Sequence, residues 1–265
     1  KSNFMKTILK NRVVLDFFAS LMFFTRIPVN WKFFSNKPPN LTNAAWSFPL
    51  IGYIIGIISG FIGELCININ LSIFLSCTIA IAFSVMITGA FHEDGLADMA
   101  DGFGAGGSPE KINKIIHDSR LGTYGTTALI LGLLIRLGLA INLVELGYSL
   151  ILILSSSIAS GKLSIIFTRN YFTVSTFSKT GSIIETVSTK MLLIASLIWL
   201  IPVVCFFPFW GVLIGVFFIS GVIFFIGKMS QKKIGGITGD ILGAIAFTTE
   251  LVFLLGIIIY LRHLY

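Results

Sequence analysis

The chain has 265 residues, 55% of them hydrophobic and 12% charged, with a formal charge of +7 and a mean hydropathy of +0.93. Soluble domains carry about a quarter charged residues, so this composition excludes an ordinary water-soluble surface. The excess of basic residues follows an alternation set by membrane topology, which argues against a nucleic-acid partner.

In chain order, a basic stretch (Lys1, Lys6, Lys10, Arg12) leads into the apolar segment 13–27, which Asp16, Thr25 and Arg26 interrupt. No small-residue cleavage site follows, so the segment reads as an interfacial or half-inserted helix ended by Pro28, not as a cleaved signal. Seven apolar runs come next, near 46–66, 71–91, 122–144, 148–168, 191–207, 210–227 and 240–261. Each approaches or exceeds the roughly 18 residues needed to cross hydrocarbon. Each must be helical, because no lipid-exposed strand edge could satisfy its backbone. The expected fold is an all-α, polytopic membrane bundle in one domain, 1–265, with about seven transmembrane helices. Cys66, Cys77 and Cys205 show no paired spacing and read as small hydrophobes.

Lysine and arginine alternate between the connections. Residues 1–45 hold seven, while 67–70, 145–147 and 208–209 hold none. Segments 92–121, 169–190 and 228–239 each hold three, and Arg262 follows the last run. The positive-inside rule then puts the N-terminus in the cytoplasm and the C-terminus outside, in a multi-pass protein of the cell (inner) membrane. The bilayer is the first partner implied, and an oligomer is compatible with the sequence.

Six of the twelve acidic residues fall between Glu93 and Asp118, in a segment this topology makes cytoplasmic. If the second apolar helix continues through it, Asp94, Asp98 and Asp101 stack at i, i+4 and i+7 on one face. Like charges so placed repel, and a divalent cation turns the repulsion into coordination; carboxylate oxygens suit magnesium, manganese or calcium. Glu93 and His92 precede the stack, the histidine as ligand or proton acceptor. A glycine-rich link, 102–107, is followed by Ser108-Pro109-Glu110, which predicts a helix over 109–119 with Ser108 as its N-cap. Arg120 is a candidate bidentate clamp for phosphate, with Asp118 to orient it and Ser119 between them.

A second polar segment, 228–244, lies on the same predicted side. Lys232, Lys233 and Thr238 are candidate phosphate contacts, and Asp240 a further metal ligand. Gly239 and Gly243 form a small-xxx-small pair that permits close helix packing. Glu250, Arg136 and Lys162 sit inside apolar runs, where an ionisable group is expensive and functional by default.

The run His92-Glu93-Asp94-Gly95-Leu96-Ala97-Asp98-Met99-Ala100-Asp101-Gly102 resembles the H-x-D-G-L-A-D-x-x-D-G signature of the cobalamin synthase family, the adenosylcobinamide-GDP ribazoletransferases. The likeness continues through Ser108-Pro109-Glu110, through residues 118–125, and through Gly236–Ala244 with Glu250-Leu251. It also covers 24–29 and 48–52, and so spans nearly the whole chain. One departure is Gly161-Lys162, where the family often carries Arg followed by an aromatic residue. The resemblance implies a magnesium-dependent transfer of the cobinamide phosphate from adenosylcobinamide-GDP to α-ribazole or its 5′-phosphate. The products are adenosylcobalamin or its 5′-phosphate, and GMP. Asp94, Asp98, Asp101, Asp240 and Glu93 would hold metal, with Asp98 or Asp101 taking the hydroxyl proton. His92 and Arg120 would serve catalysis, and Asp118, Ser119, Thr238, Lys232, Lys233 and Gly239 would contact substrate.

Two other readings share features of this pattern. A CDP-alcohol phosphotransferase also places spaced aspartates at membrane helix ends, but with an Arg after its first D-G-x-x-A; Asp98 stands there instead. A cation transporter would concentrate ionisable groups at the bilayer midplane, usually in repeated halves, and no internal repeat is evident.

Overall fold

The computed structural model describes residues 11–178 and 184–263; Lys1, Lys6, Lys10 and Lys179 of the charge alternation lie outside the described residues. Helix α1 (Arg12–Phe24) starts where the Asn11 side chain accepts from the Val13 N–H. Its inner face carries Ala19, Leu21 and Phe24 onto the short α2 (Leu41–Ala44) and the long α3 (Phe48–Asn68). Two polar contacts fasten this packing: Trp46 Nε1 donates to Asp16 at 3.0 Å, and the Ser20 and Ser47 hydroxyls lie 2.7 Å apart.

Six stretches are long and apolar enough to cross a membrane: Leu41–Asn68, α7 (Thr123–Glu145), α8 (Leu150–Tyr171), α9 (Thr189–Phe206), α10 (Phe209–Ile234) and α11 (Gly239–His263). The expected second span is shorter. Helix α4 (Ile73–Thr88) is followed by α5 (Phe91–Ala105) at a bend of 86°, so the pair makes one broken span or none. The expected continuous helix into the aspartates is therefore corrected. Gly89 (φ +68°) and Ala90 (φ +58°) are left-handed and end α4. Arg26 N–H donates to Ile87 O at 2.7 Å, and a Cβ on Gly89 would meet Arg26 Nε at 2.1 Å. The acids thus occupy a new helix with its own direction.

Helices α8 and α11 form the centre, with 83% and 78% of their apolar windows buried against 22%, 17% and 22% for α7, α9 and α10. Small residues make that possible. Gly52, Gly56 and Gly60 of α3 meet the α8 backbone at Ala159, Ser155 and Ile151, closer than any side chain would allow. The α8 serines donate back to their own helix, Ser156 to Leu152 O and Ser160 to Ser157 O at 2.6 Å, so burial leaves these hydroxyls paired. Tyr53 OH donates to Trp199 O at 2.6 Å, and Trp199 Nε1 to Ser156 O at 3.2 Å, joining α9 to both.

Helix α10 runs on to Ile234, past the apolar run that ends near 227, and carries Lys228, Lys232 and Lys233 that the sequence reading placed in a connection. Hydropathy stops at the lysines, but backbone hydrogen bonding does not. The turn after it, with Gly235 (φ +73°) and Gly236 (φ +156°), is clasped by a parallel bridge between Val174 and Ile237. This bridge fixes where α11 begins.

Candidate active site

The acidic face is built where α5 crosses the start of α11. Gly95 would put a Cβ 2.5 Å from Asp240 O, and a Cβ on Gly243 would lie 3.5 Å from the Gly95 Cα. Backbone meets backbone, as the Gly243 half of the expected small-residue pair requires; Gly239 is simply the first residue of α11. The crossing brings Asp240 beside Asp94, while Asp98 is half-buried and faces the charges of Asp94, Asp240 and Asp101. Among the described residues, the carboxylates of Asp94 and Asp98 accept no hydrogen bond from another residue and make no ion pair. The basic neighbour of Asp240 is His117, which also contacts Asn113 O through Nδ1 at 2.9 Å.

Asp101 keeps its phase on α5 but is otherwise engaged. Its two oxygens accept from Gly122 N–H at 2.7 Å and Gly125 N–H at 2.8 Å, so it caps the N-terminus of α7 from another helix. A Cβ on Gly122 or Gly125 would lie 2.4 or 2.3 Å from those oxygens. Gly125→Ala is accordingly expected to destabilise the protein by about 1–3 kcal/mol, through the overpacking seen when tight cores gain a carbon. Thermal unfolding in detergent measures it, and an unchanged midpoint would contradict this cap.

The segment leading to that cap holds Asp118 and Arg120. Arg120 Nη2 and Nε donate to the two Asp118 oxygens at 2.8 and 3.1 Å, and its backbone N–H adds a third bond. Those bonds hold the Asp118 carboxyl down at about 2. The Arg120 side chain is 88% exposed, and Ser119 beside it is exposed too, so this fork stands in solvent next to the acidic face. The helix before it, α6 (Pro109–Ile116), begins as expected with Ser108 Oγ accepting from Lys111 N–H.

Other expected contacts are placed differently. Thr238 is buried and accepts from Ile241 N–H at 3.4 Å, which makes it a cap for α11. Lys233 Nζ donates to Phe103 O at 3.2 Å and lies 5.6 Å from the centre of its ring; Phe103 is about half a turn round α5 from Asp94, so Lys233 flanks the opposite side of α5 from Asp94, and Lys232 faces the cavity beside Gly107 and Pro109. Glu93 turns away from Asp94 into the bundle.

There it joins a buried charge cluster whose pairing the sequence does not reveal. Arg136 Nη1 lies 3.1 Å from Glu93 Oε1, and Arg136 Nη2 lies 3.0 Å from Glu250 Oε2. His92 Nδ1 is 3.6 Å from Glu250 Oε1, and Lys162 Nζ is 3.3 Å from the same His92 nitrogen. Lys162 also sits 5.0 Å above the Phe24 ring. Gly161 permits the approach, since a Cβ there would meet Glu250 Oε1 at 2.7 Å. Two carboxylates face two strong cations, so the cluster is balanced in charge, as a membrane interior demands. It anchors the first turn of α5 below the acidic face. Glycines at 122, 125 and 161 were the available sequence signal for these contacts, and none named the partner.

Among the described residues, no three His, Cys, Asp or Glu side chains converge closely enough to enclose a metal ion. The donor chemistry still suits magnesium, which takes one or two protein carboxylates and completes its shell with water and substrate phosphates. Asp94, Asp98 and Asp240 are the residues that would line such an open site; they do not form a closed cage.

Fold and site together define a multi-pass helical membrane protein with an acidic face at one end of its bundle. A family model described as cobalamin-5-phosphate synthase matches residues 16–258, and the chain belongs to that family of transferases. Curated relatives named adenosylcobinamide-GDP ribazoletransferase align over nearly full length. The Azorhizobium caulinodans protein is 32% identical, over 95% of this chain and 98% of its own. That of Clostridium botulinum (strain Langeland) is 36% identical over the same shares. The Leptospira interrogans protein is 36% identical, over 91% and 94%. No solved structure matches the chain.

Proposed function

We propose that the protein transfers the cobinamide phosphate of adenosylcobinamide-GDP to α-ribazole or its 5′-phosphate, releasing GMP, in cobalamin biosynthesis, and that it requires magnesium. The family and its relatives' names support the activity. The observation that carries the metal requirement is the gathering of Asp94, Asp98 and Asp240 with no lysine or arginine ion-paired to them among the described residues. A diphosphate would be repelled by that face unless positive charge lay between them.

In the reaction, a ribose hydroxyl oxygen attacks the phosphorus that bears cobinamide. The bridging P–O bond to GMP breaks, and the hydroxyl proton leaves to a base. Asp94, Asp98 and Asp240 would hold the cation, whose chemistry is to neutralise the diphosphate and the departing GMP. Asp98, whose oxygens accept no hydrogen bond from another described residue, would accept the proton; Asp101, committed to α7, would not. Arg120, exposed and paired with Asp118, would clamp phosphate by exchanging that partner for substrate. The reading places this face on the cytoplasmic side of the cell membrane, by the distribution of basic residues.

The test is an assay of purified protein with adenosylcobinamide-GDP and α-ribazole 5′-phosphate, with magnesium or with EDTA. GMP and the joined nucleotide loop are expected only when both substrates and magnesium are present. A folded preparation that makes neither product sinks the activity, and undiminished turnover in EDTA sinks the metal.

A further inference from the structure

We infer that the protein holds one anionic phospholipid in a trough along α10, with its headgroup phosphate at Lys228 and Lys232. The site is separate from the acidic face, and the inference does not rest on the proposed reaction.

The trough is made of three adjoining cavities. The outermost, about 570 Å³, lies between α6 and the end of α10, floored by Phe224, Phe225 and Met229 and rimmed by Lys228, Lys232 and Lys233. Phe224 also borders a second cavity of about 330 Å³ against Phe167 and Phe172. Ser220, Ile223 and Phe167 pass from that one into a third, about 250 Å³, which reaches Val216 and Trp199 between α8, α9 and α10. From Lys232 to Val216 along α10 is about 24 Å at 1.5 Å per residue, longer than one leaflet's share, about 15 Å, of a 30 Å hydrocarbon core. An acyl chain has the length and polarity to fill it.

The charge at its mouth sets the headgroup. Lys233 is occupied by Phe103 O, but Lys228 and Lys232 are exposed, stand at i and i+4, and have no carboxylate within ion-pair distance among the described residues. Two like charges so placed repel, and a phosphate between them relieves both. Phe224 and Phe225 are 62% and 68% exposed just below, so the anion must belong to a molecule with an apolar part. A soluble nucleotide would leave that floor bare. A membrane phospholipid covers floor and lysines together.

Native mass spectrometry tests this on delipidated, full-length protein offered phosphatidylglycerol and phosphatidylcholine with identical chains. Wild type is expected to retain one phosphatidylglycerol in preference to phosphatidylcholine. Lys228→Gln with Lys232→Gln should weaken that retention about 30-fold, equivalent to about 2 kcal/mol for two basic residues near an anionic headgroup. Ser220→Trp, which fills the middle of the trough, should reduce retention of both lipids while the protein stays monodisperse. Equal retention of the two lipids by wild type overturns the inference, as does unchanged retention in the lysine variant. So does displacement of the lipid by inorganic phosphate or GMP alone, which would make the lysines a soluble-phosphate site.

Discussion

Replacing Asp98 with Asn is expected to lower kcat/KM about 10³-fold while leaving the protein as stable as wild type or more so. The two halves of that result come from one geometry. Asp98 is half-buried among the charges of Asp94, Asp240 and Asp101, with no hydrogen bond from another described residue to hold it. Neutralising it removes repulsion in the resting protein, so the fold loses nothing. On the proposed mechanism, what is lost is the negative charge that would recruit a cation and receive a proton, and removing one electrostatic contributor to a transition state costs about 10²–10³ in rate. Asp94→Asn should behave alike, with a higher magnesium requirement. Steady-state GMP release at graded magnesium, alongside thermal unfolding in the same detergent, separates the outcomes. Normal turnover in either folded variant would remove these carboxylates from the chemistry. A stability gain with activity loss is the pattern of residues kept for function at a cost to the fold.

The largest stability effect belongs to the inner cluster. Arg136→Met is expected to destabilise the protein by about 3–5 kcal/mol, because it takes the shared partner from Glu93 and Glu250 and leaves two carboxylates to one cation, Lys162, in a site that is almost fully buried. The charge count predicts its own rescue. Adding Glu93→Gln leaves Glu250 facing Lys162, again balanced, so the double variant should recover a large part of the loss. Thermal unfolding of the two variants decides it; an additive double variant would mean that Arg136 acts by packing, over the Phe247 ring for example, and not by charge. Because the cluster seats the first turn of α5, Arg136→Met should also reduce turnover without altering the magnesium concentration needed for half-maximal rate.

The two sets of acids meet in the sequence at Glu93 and Asp94, and their separation could not be read there. Composition and the long apolar runs determined the helical membrane bundle, since lipid leaves a backbone no other way to satisfy itself. The spacing of Asp94, Asp98 and Asp101 determined that one helix face carries them, because helical phase depends on nothing beyond the local chain. The length and order of that signature determined the family.

Tertiary structure decided the rest. Glu93 and Asp94 are adjacent, yet one turns to Arg136 and the other to Asp240, because the break at Gly89-Ala90 and the Gly95–Gly243 crossing orient α5 against α7 and α11. Asp101 belongs to the same sequence repeat as Asp94 and Asp98, but two backbone N–H groups from residues 122 and 125 claim it. Lys233 lies near Asp240 in the chain and across α5 from Asp94 in space. A local pattern sets the direction of a side chain on its own helix. Which partner meets it depends on how distant helices pack, and small residues such as Gly95, Gly161 and Gly243 permit that packing without naming what will fill it.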